Sequence, residues 1–220
     1  VLLEGPPAVG KTRLIIAIAE AKRAERAAAL AAAVAAGDAA AAAAARAGPA
    51  TSLYRVNNND TTTVTDYLGS FMPVGTDAGG GGGGGGPRMP RFEFCAGALV
   101  RAMEEGAYFL ADEFNLADPA VMSLLLPLLE GRSKVRRPGR SDEFIVAAPG
   151  FALFATQNPA GTTAGRQKLP ESMVNRFLRI DVPDFTAPQL ARVLARADGR
   201  GVPADAAARL AALYAALGEK

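Results

Sequence analysis

The first twelve residues, Val1 to Thr12, constrain this chain more than any other stretch. A short apolar run, Val1 to Leu3, breaks at Gly5-Pro6-Pro7. From Gly5 to Thr12 the chain then reads G-x-x-x-x-G-K-T, and Leu14, Ile15, Ile16, Ile18 and Ala19 continue at helical spacing. That order predicts strand, loop and helix. Glycines let the backbone turn tightly, so that N–H groups of the loop face inward onto phosphate oxygens. The expected nucleotide-binding set is therefore Gly5, Pro6, Pro7, Ala8, Val9, Gly10, Lys11, Thr12 and Arg13. Within it Lys11 reaches the β- and γ-phosphates, Thr12 offers its hydroxyl to Mg²⁺, and the positive end of the following helix faces the anion.

At 220 residues, half of them apolar, the chain can bury the core of one large α/β domain, or of one domain plus part of another. Its 24 Lys and Arg against 22 Asp and Glu leave a net charge of +2, which argues against a general polyanion-binding surface. The single cysteine, Cys95, excludes an intramolecular disulfide and fits a reducing compartment. With no His, the commonest metal ligand and acid–base group is missing, and no protein-held transition metal is expected. The Ala-rich tract is interrupted by charges and too weakly hydrophobic to span a bilayer, and no secretory signal is visible. The chain begins without Met inside a predicted strand and stops within an Ala/Leu helical pattern, so it reads as a piece of a longer protein.

After the loop, Arg13 to Ala47 favours helix, with Arg13 to about Ala21 as the packed part and an Ala-rich insertion over about 24–47. Leu53 to Val56 is a short strand that delivers Asn57, Asn58, Asn59 and Asp60 to the ligand side of an open sheet. Gly79 to Gly86 reads as a flexible loop, because glycine loses so much entropy on ordering. Ala98 to Glu105 is an amphipathic helix closed by Gly106, and Ala107 to Ala111 is a buried strand ending at Asp112-Glu113. Asp118-Pro119 opens a further helix. Arg132 to Ala147 suggests a surface hairpin, and Phe151 to Ala155 a second buried strand ending at Thr156-Gln157-Asn158. A loop over Gly161 to Arg166, a short helix over Pro170 to Arg176 and a strand over Phe177 to Val182 follow, and from Thr186 the pattern is helical.

Three further elements carry chemistry. Asp112 at a buried strand exit would hold Mg²⁺ through its water shell, and Glu113 would polarise a water for in-line attack on the γ-phosphate. That pairing favours hydrolysis over transfer to a substrate hydroxyl. Asn158, also at a strand exit, would orient the attacking water or bond the γ-phosphate; taken alone, Asn-Pro reads more readily as a turn, and it is the arrival of Asp-Glu and Asn from two strands at one edge that changes this. Arg176 neutralises charge developing on the phosphoryl group, in its own site or a neighbour's, or else makes a surface ion pair. Glu113, Asn158 and Arg176 are thus the expected catalytic residues, with Thr12 and Asp112 on the metal.

GPPAVGKT, YFLADEFN, FALFATQNP and VNRF, in this order, resemble the Walker A, Walker B, sensor-1 and arginine-finger segments of AAA-type ATPases. The wording of LADEFNLADPAVMSLLLPLLEG, AGRQKLPESMVNRF and NNNDTTTVTDYLGSFMPV is similar to the dynein-related AAA modules of the midasin family of ribosome-assembly ATPases, with bacterial MoxR-type ATPases as more distant relatives. The resemblance implies an α/β P-loop NTPase fold of three layers, with five parallel strands, over residues 1–185, and the start of a truncated helical lid over 186–220. It implies ATP and Mg²⁺ as ligands, Arg176 acting in trans, and neighbouring AAA modules in a ring, from the same chain or a homo-oligomer. It further implies a protein or ribonucleoprotein client, no sequence-specific nucleic acid and no membrane. The expected location is intracellular, nuclear for a midasin-like role and otherwise cytoplasmic. A MoxR-type chaperone ATPase and a structural nucleotide-binding ring module with little turnover are the alternatives. The Ala-rich and Gly-rich insertions depart from the family pattern, and no sensor-2 Arg can be assigned.

Overall fold

The computed structural model describes residues 1–47, 52–74, 91–140, 142–159, 169–196 and 202–218. The expected loops over 79–86 and 161–166, and the Gly48-Pro49 break, lie outside these residues.

Five strands form a parallel sheet in the order β2 (Leu53–Asn57), β5 (Tyr108–Asp112), β8 (Ala152–Gln157), β1 (Leu2–Glu4) and β9 (Arg179–Asp181). Because all run the same way, every chain exit toward a ligand falls on one edge, with β1 and its loop between β8 and β9. Alternation along the central strand sorts the two faces. Phe109 and Ala111 join Leu2 and Ala155 in the larger core under α4 (Ala98–Glu105) and α5 (Pro119–Leu129), whereas Leu110 and Leu3 pack with Ile15 of α1 (Lys11–Ala35) on the other face.

The helices follow from local signals. In α4, Leu99, Val100, Ala102 and Met103 are buried on one side. Gly106 ends it at φ 66°, in the left-handed region, and a Cβ there would lie 2.3 Å from the Pro149 carbonyl oxygen, so both conformation and space demand glycine. Asp118 caps α5, accepting the Ala120 N–H at 2.7 Å with Pro119 at the first helical position. Replacing Asp118 with Ala is expected to lower the full-length protein's stability by about 1 kcal/mol in a denaturant titration, the usual effect of losing an N-cap.

The first helix runs further than its packed part. Burial against the sheet ends at Ala19, yet the helix continues to Ala35 and turns back at Gly37 into α2 (Ala39–Ala47). Ala propensity sustains this hairpin, with Ala33 and Ala42 buried and Arg26 donating to the carbonyls of Ala45 and Arg46. The short α3 (Val64–Leu68) precedes an antiparallel pair, β3 (Gly69–Val74) with β4 (Arg91–Ala96). The expected surface hairpin is present as β6 (Lys134–Arg136) and β7 (Phe144–Val146). The last strand spans only Arg179–Asp181, after α6 (Glu171–Val174). Beyond it α7 (Ala187–Arg196) and α8 (Ala204–Gly218) pack on each other. Among the described residues no helix is long and apolar enough to cross a membrane.

Candidate nucleotide site

The loop between β1 and α1 is shaped by its surroundings as well as its glycines. A Cβ on Gly5 would lie 2.2 Å from the Val182 carbonyl oxygen, because the Val182 N–H donates to Glu4 just beyond β9. Gly10 (φ 85°) and Ala8 (φ 65°) are both left-handed. Such alternation turns successive N–H groups into a concavity that suits an anion. Gly10 also opens α1 without a side-chain cap, which leaves the first turn's N–H groups to a ligand. Val9 is buried, Pro7 and Ala8 are exposed, and Arg13 points along the helix surface with Glu20 3.9 Å away.

Lys11 is buried, and its ammonium spans the loop, donating to Gly5 O at 2.7 Å, Pro6 O at 2.6 Å and Asn158 Oδ1 at 2.8 Å. The loop lysine and a polar residue 147 positions away thus meet directly. Asn158 is itself held from below, since Asn115 Nδ2 donates to its carbonyl at 3.1 Å.

Beside this group, Thr12 Oγ1 donates to both carboxylate oxygens of Asp112, at 2.8 and 3.0 Å. Sheet register explains what else converges. Ala111 pairs with Ala155, which sets Thr156 next to Asp112, and its hydroxyl donates to Asp112 Oδ1 while accepting the Glu113 N–H at 3.1 Å. On the other side Asn57 pairs with Asp112. Asn58 follows, and its backbone N–H and Nδ2 both donate to the Asp112 carbonyl, at 2.9 and 2.7 Å. Tyr67 donates to Asn58 Oδ1 at 2.8 Å, and burial pushes its phenol well above the ordinary range, so it remains a donor at any working pH. Arg55 completes the set, with Nη2 2.6 Å from Asp112 Oδ2.

Glu113 leaves the strand at φ 50° and is half-buried. It and Ala8 are the only non-glycine residues with positive φ among the described residues, and both stand at this edge. Outliers of this kind cost about 1–3 kcal/mol and collect at functional sites. Arg176 stays outside the cluster: its partners are the Ser172 carbonyl and Glu130, 3.2 Å away.

Lys11, Thr12, Asp112 and Asn158 are therefore brought together, Glu113 shares their edge, and Arg176 does not join them. Thr156, Arg55 and Asn115 escaped the sequence reading. Thr156 is fixed by register with a distant strand, while Arg55 carries only the weak signal of a charge within an otherwise apolar strand.

The donor set fits a magnesium nucleotide. Thr12 and Asp112 offer oxygen ligands to one point, as Mg²⁺ prefers, and among the described residues no group of three or more His, Cys, Asp and Glu forms a cage, so phosphate oxygens are needed to complete a shell. Asn115 Oδ1, buried beside Asn158, has no hydrogen-bond partner among the described residues, as suits a site that takes a polar ligand.

A parallel sheet with a phosphate loop on β1 and a carboxylate at the exit of the second strand over defines a P-loop nucleoside triphosphatase. The family model for the AAA domain, dynein-related subfamily, matches residues 42–177, and the chain belongs to that family: it is an AAA-type ATPase module that binds nucleotide. The phosphate loop precedes the matched stretch. Midasin of Giardia intestinalis is 31% identical over 88% of the chain, and midasin of Dictyostelium discoideum 33% identical over 86%. The chain spans only 3% of the length of each. A solved structure from Cytophaga hutchinsonii, a protein assigned as an ATPase, matches the fold with a TM-score of 0.54 at 21% identity, over 92% of this chain and 47% of its own.

Proposed function

We propose that this module binds ATP with Mg²⁺ and hydrolyses it as one unit of a ring, using the nucleotide state to remodel a macromolecular complex. Its most specific form is a midasin-like part in assembling the large ribosomal subunit, a reading supported by the relatives named above. The observation that carries it is the convergence of Lys11, Thr12, Asp112 and Asn158 within hydrogen-bond distance at one sheet edge. The same reading puts the full protein inside the cell, in the nucleus where it serves ribosome assembly.

The loop N–H groups and Lys11 would hold the phosphates, and Thr12 with Asp112 would hold the metal. Magnesium supplies, when bound, positive charge against that accumulating on the phosphate oxygens. Glu113 takes a proton from the attacking water. Asn158, released from Lys11 by the incoming γ-phosphate, turns its amide to the phosphoryl oxygens or to that water, where a carboxylate would repel. Asn115, bonded to the Asn158 carbonyl, fixes that amide's origin. Arg176 has no cis role at this site; it serves the adjoining module, released from Glu130 to meet that module's γ-phosphate.

Phosphate release by the full-length protein tests the reading. Release that depends on both ATP and Mg²⁺ is expected, and wild-type release no faster than buffer overturns it. With Arg176→Ala, turnover should fall while ATP affinity, followed by a fluorescent analogue, stays near wild type. Equal loss of binding would argue against a finger acting across modules.

A further inference from the structure

We infer that Arg55 is a built-in counter-ion that occupies the metal side of Asp112 until a divalent cation displaces it, an inference that rests on the ATPase reading above. Asp112 is only 4% exposed, and a carboxylate so buried needs a compensating charge. In the structure Arg55 supplies one, with Nη2 2.6 Å from Oδ2, while Oδ1 takes the Thr156 hydroxyl and Thr12 bridges both oxygens.

The placement follows from the sheet. Arg55 pairs with Leu110 and Asn57 with Asp112, so Arg55 leaves β2 on the same face as Asp112 and two residues below it. Its long side chain crosses that diagonal along the strand surface and ends on the carboxylate. Leu53 and Leu110, on the same face, are in the smaller core with Ile15. Arg55 interrupts this apolar row at the edge of the sheet, where its exposed side chain reaches along the strand to the buried carboxylate.

A divalent cation held by Thr12 and by Asp112 through its water shell would stand close to the guanidinium on Oδ2, and the two positive centres repel. One must leave. The Arg55 side chain is 45% exposed, so it can swing into water without opening the core. Arg55 thereby sets the cation concentration at which the site loads, and it keeps Asp112 neutralised when no nucleotide brings a metal. It is a positioning residue acting on Asp112.

The test uses the full-length protein with Mn²⁺ as a spectroscopically visible cation and AMP-PNP as a nucleotide that is not turned over. Mn²⁺ binding is read by electron paramagnetic resonance in saturating AMP-PNP, and thermal melting is read without nucleotide or metal. Arg55→Gln is expected to bind Mn²⁺ roughly two- to fivefold more tightly, the range for losing a half-exposed ion pair, and to melt lower than wild type. In an Asp112→Asn background the melting difference between Arg55 and Gln should vanish. Arg55→Lys keeps the charge but loses the planar fork, and a smaller shift in the same direction is expected; it also serves where the Gln variant does not fold. Unchanged or weaker Mn²⁺ binding in a folded Arg55 variant, with wild type binding both ligands, overturns the role of Arg55 alone. Wild type that takes up neither AMP-PNP nor Mn²⁺ overturns the ATPase reading, and the cation exchange falls with it.

Discussion

Replacing Glu113 with Gln is expected to slow ATP turnover by about two to four orders of magnitude while ATP affinity stays close to wild type. The amide keeps the shape of the side chain but cannot take a proton from water. Nothing else at the edge should move, because the backbone at this point is held from several sides. The Glu113 N–H donates to Thr156, Asn115 two residues on is bonded to the Asn158 carbonyl, and between them Phe114 is fully buried with its ring 6.0 Å from that of Phe177. These contacts hold Glu113 at φ 50°. On the proposed mechanism, the left-handed turn directly after Asp112 gives consecutive carboxylates different tasks, one on the metal and one facing the attacking water. Steady-state phosphate release by the full-length variant checks the rate, and fluorescent-nucleotide titration checks the affinity. Wild-type release would remove Glu113 from this role and leave the strained turn without a catalytic reason.

Much of this architecture was legible because its signals are local. Asp118-Pro119 announces a capped helix, Gly106 a left-handed helix end, and an apolar run ending in Asp112-Glu113 a central strand. What stayed hidden depends on pairs of residues far apart in the chain. Thr156 matters because strand register seats it beside Asp112, 44 positions away, and nothing within FALFATQ marks it. Gly5 is legible as a motif letter, yet the structure adds a second cause, the Val182 carbonyl against the space where a side chain would begin. Ala8 carries no sign of its left-handed backbone, since alanine normally avoids it. In the Ala-rich tract, composition predicted helix but could not say that the helix would fold back on itself, because alanine offers little contact to direct it.

Lys11→Ala is expected to weaken ATP binding by about two orders of magnitude, or roughly 2.7 kcal/mol. That loss is net of what Lys11 already does within the loop. Its ammonium already donates to the Gly5 and Pro6 carbonyls and to Asn158 Oδ1, so phosphate oxygens replace existing bonds. The gain lies in exchanging neutral acceptors for anionic ones. Bonds from an ammonium are already charge-assisted, at about 1.5–3 kcal/mol each; anionic acceptors add charge pairing to that, and two phosphates contacted at once account for a loss of this size. On the proposed mechanism the same exchange acts as a trigger, because phosphate that draws Lys11 away also frees the Asn158 amide. Two readings follow from one variant. Fluorescent-nucleotide titration of full-length Lys11→Ala should show the lost affinity. Thermal melting without nucleotide should also fall, since Gly5, Pro6 and Asn158 lose a shared donor in a buried place. If melting drops but affinity does not, Lys11 is a structural pin of the loop and the phosphates are held by backbone N–H groups alone.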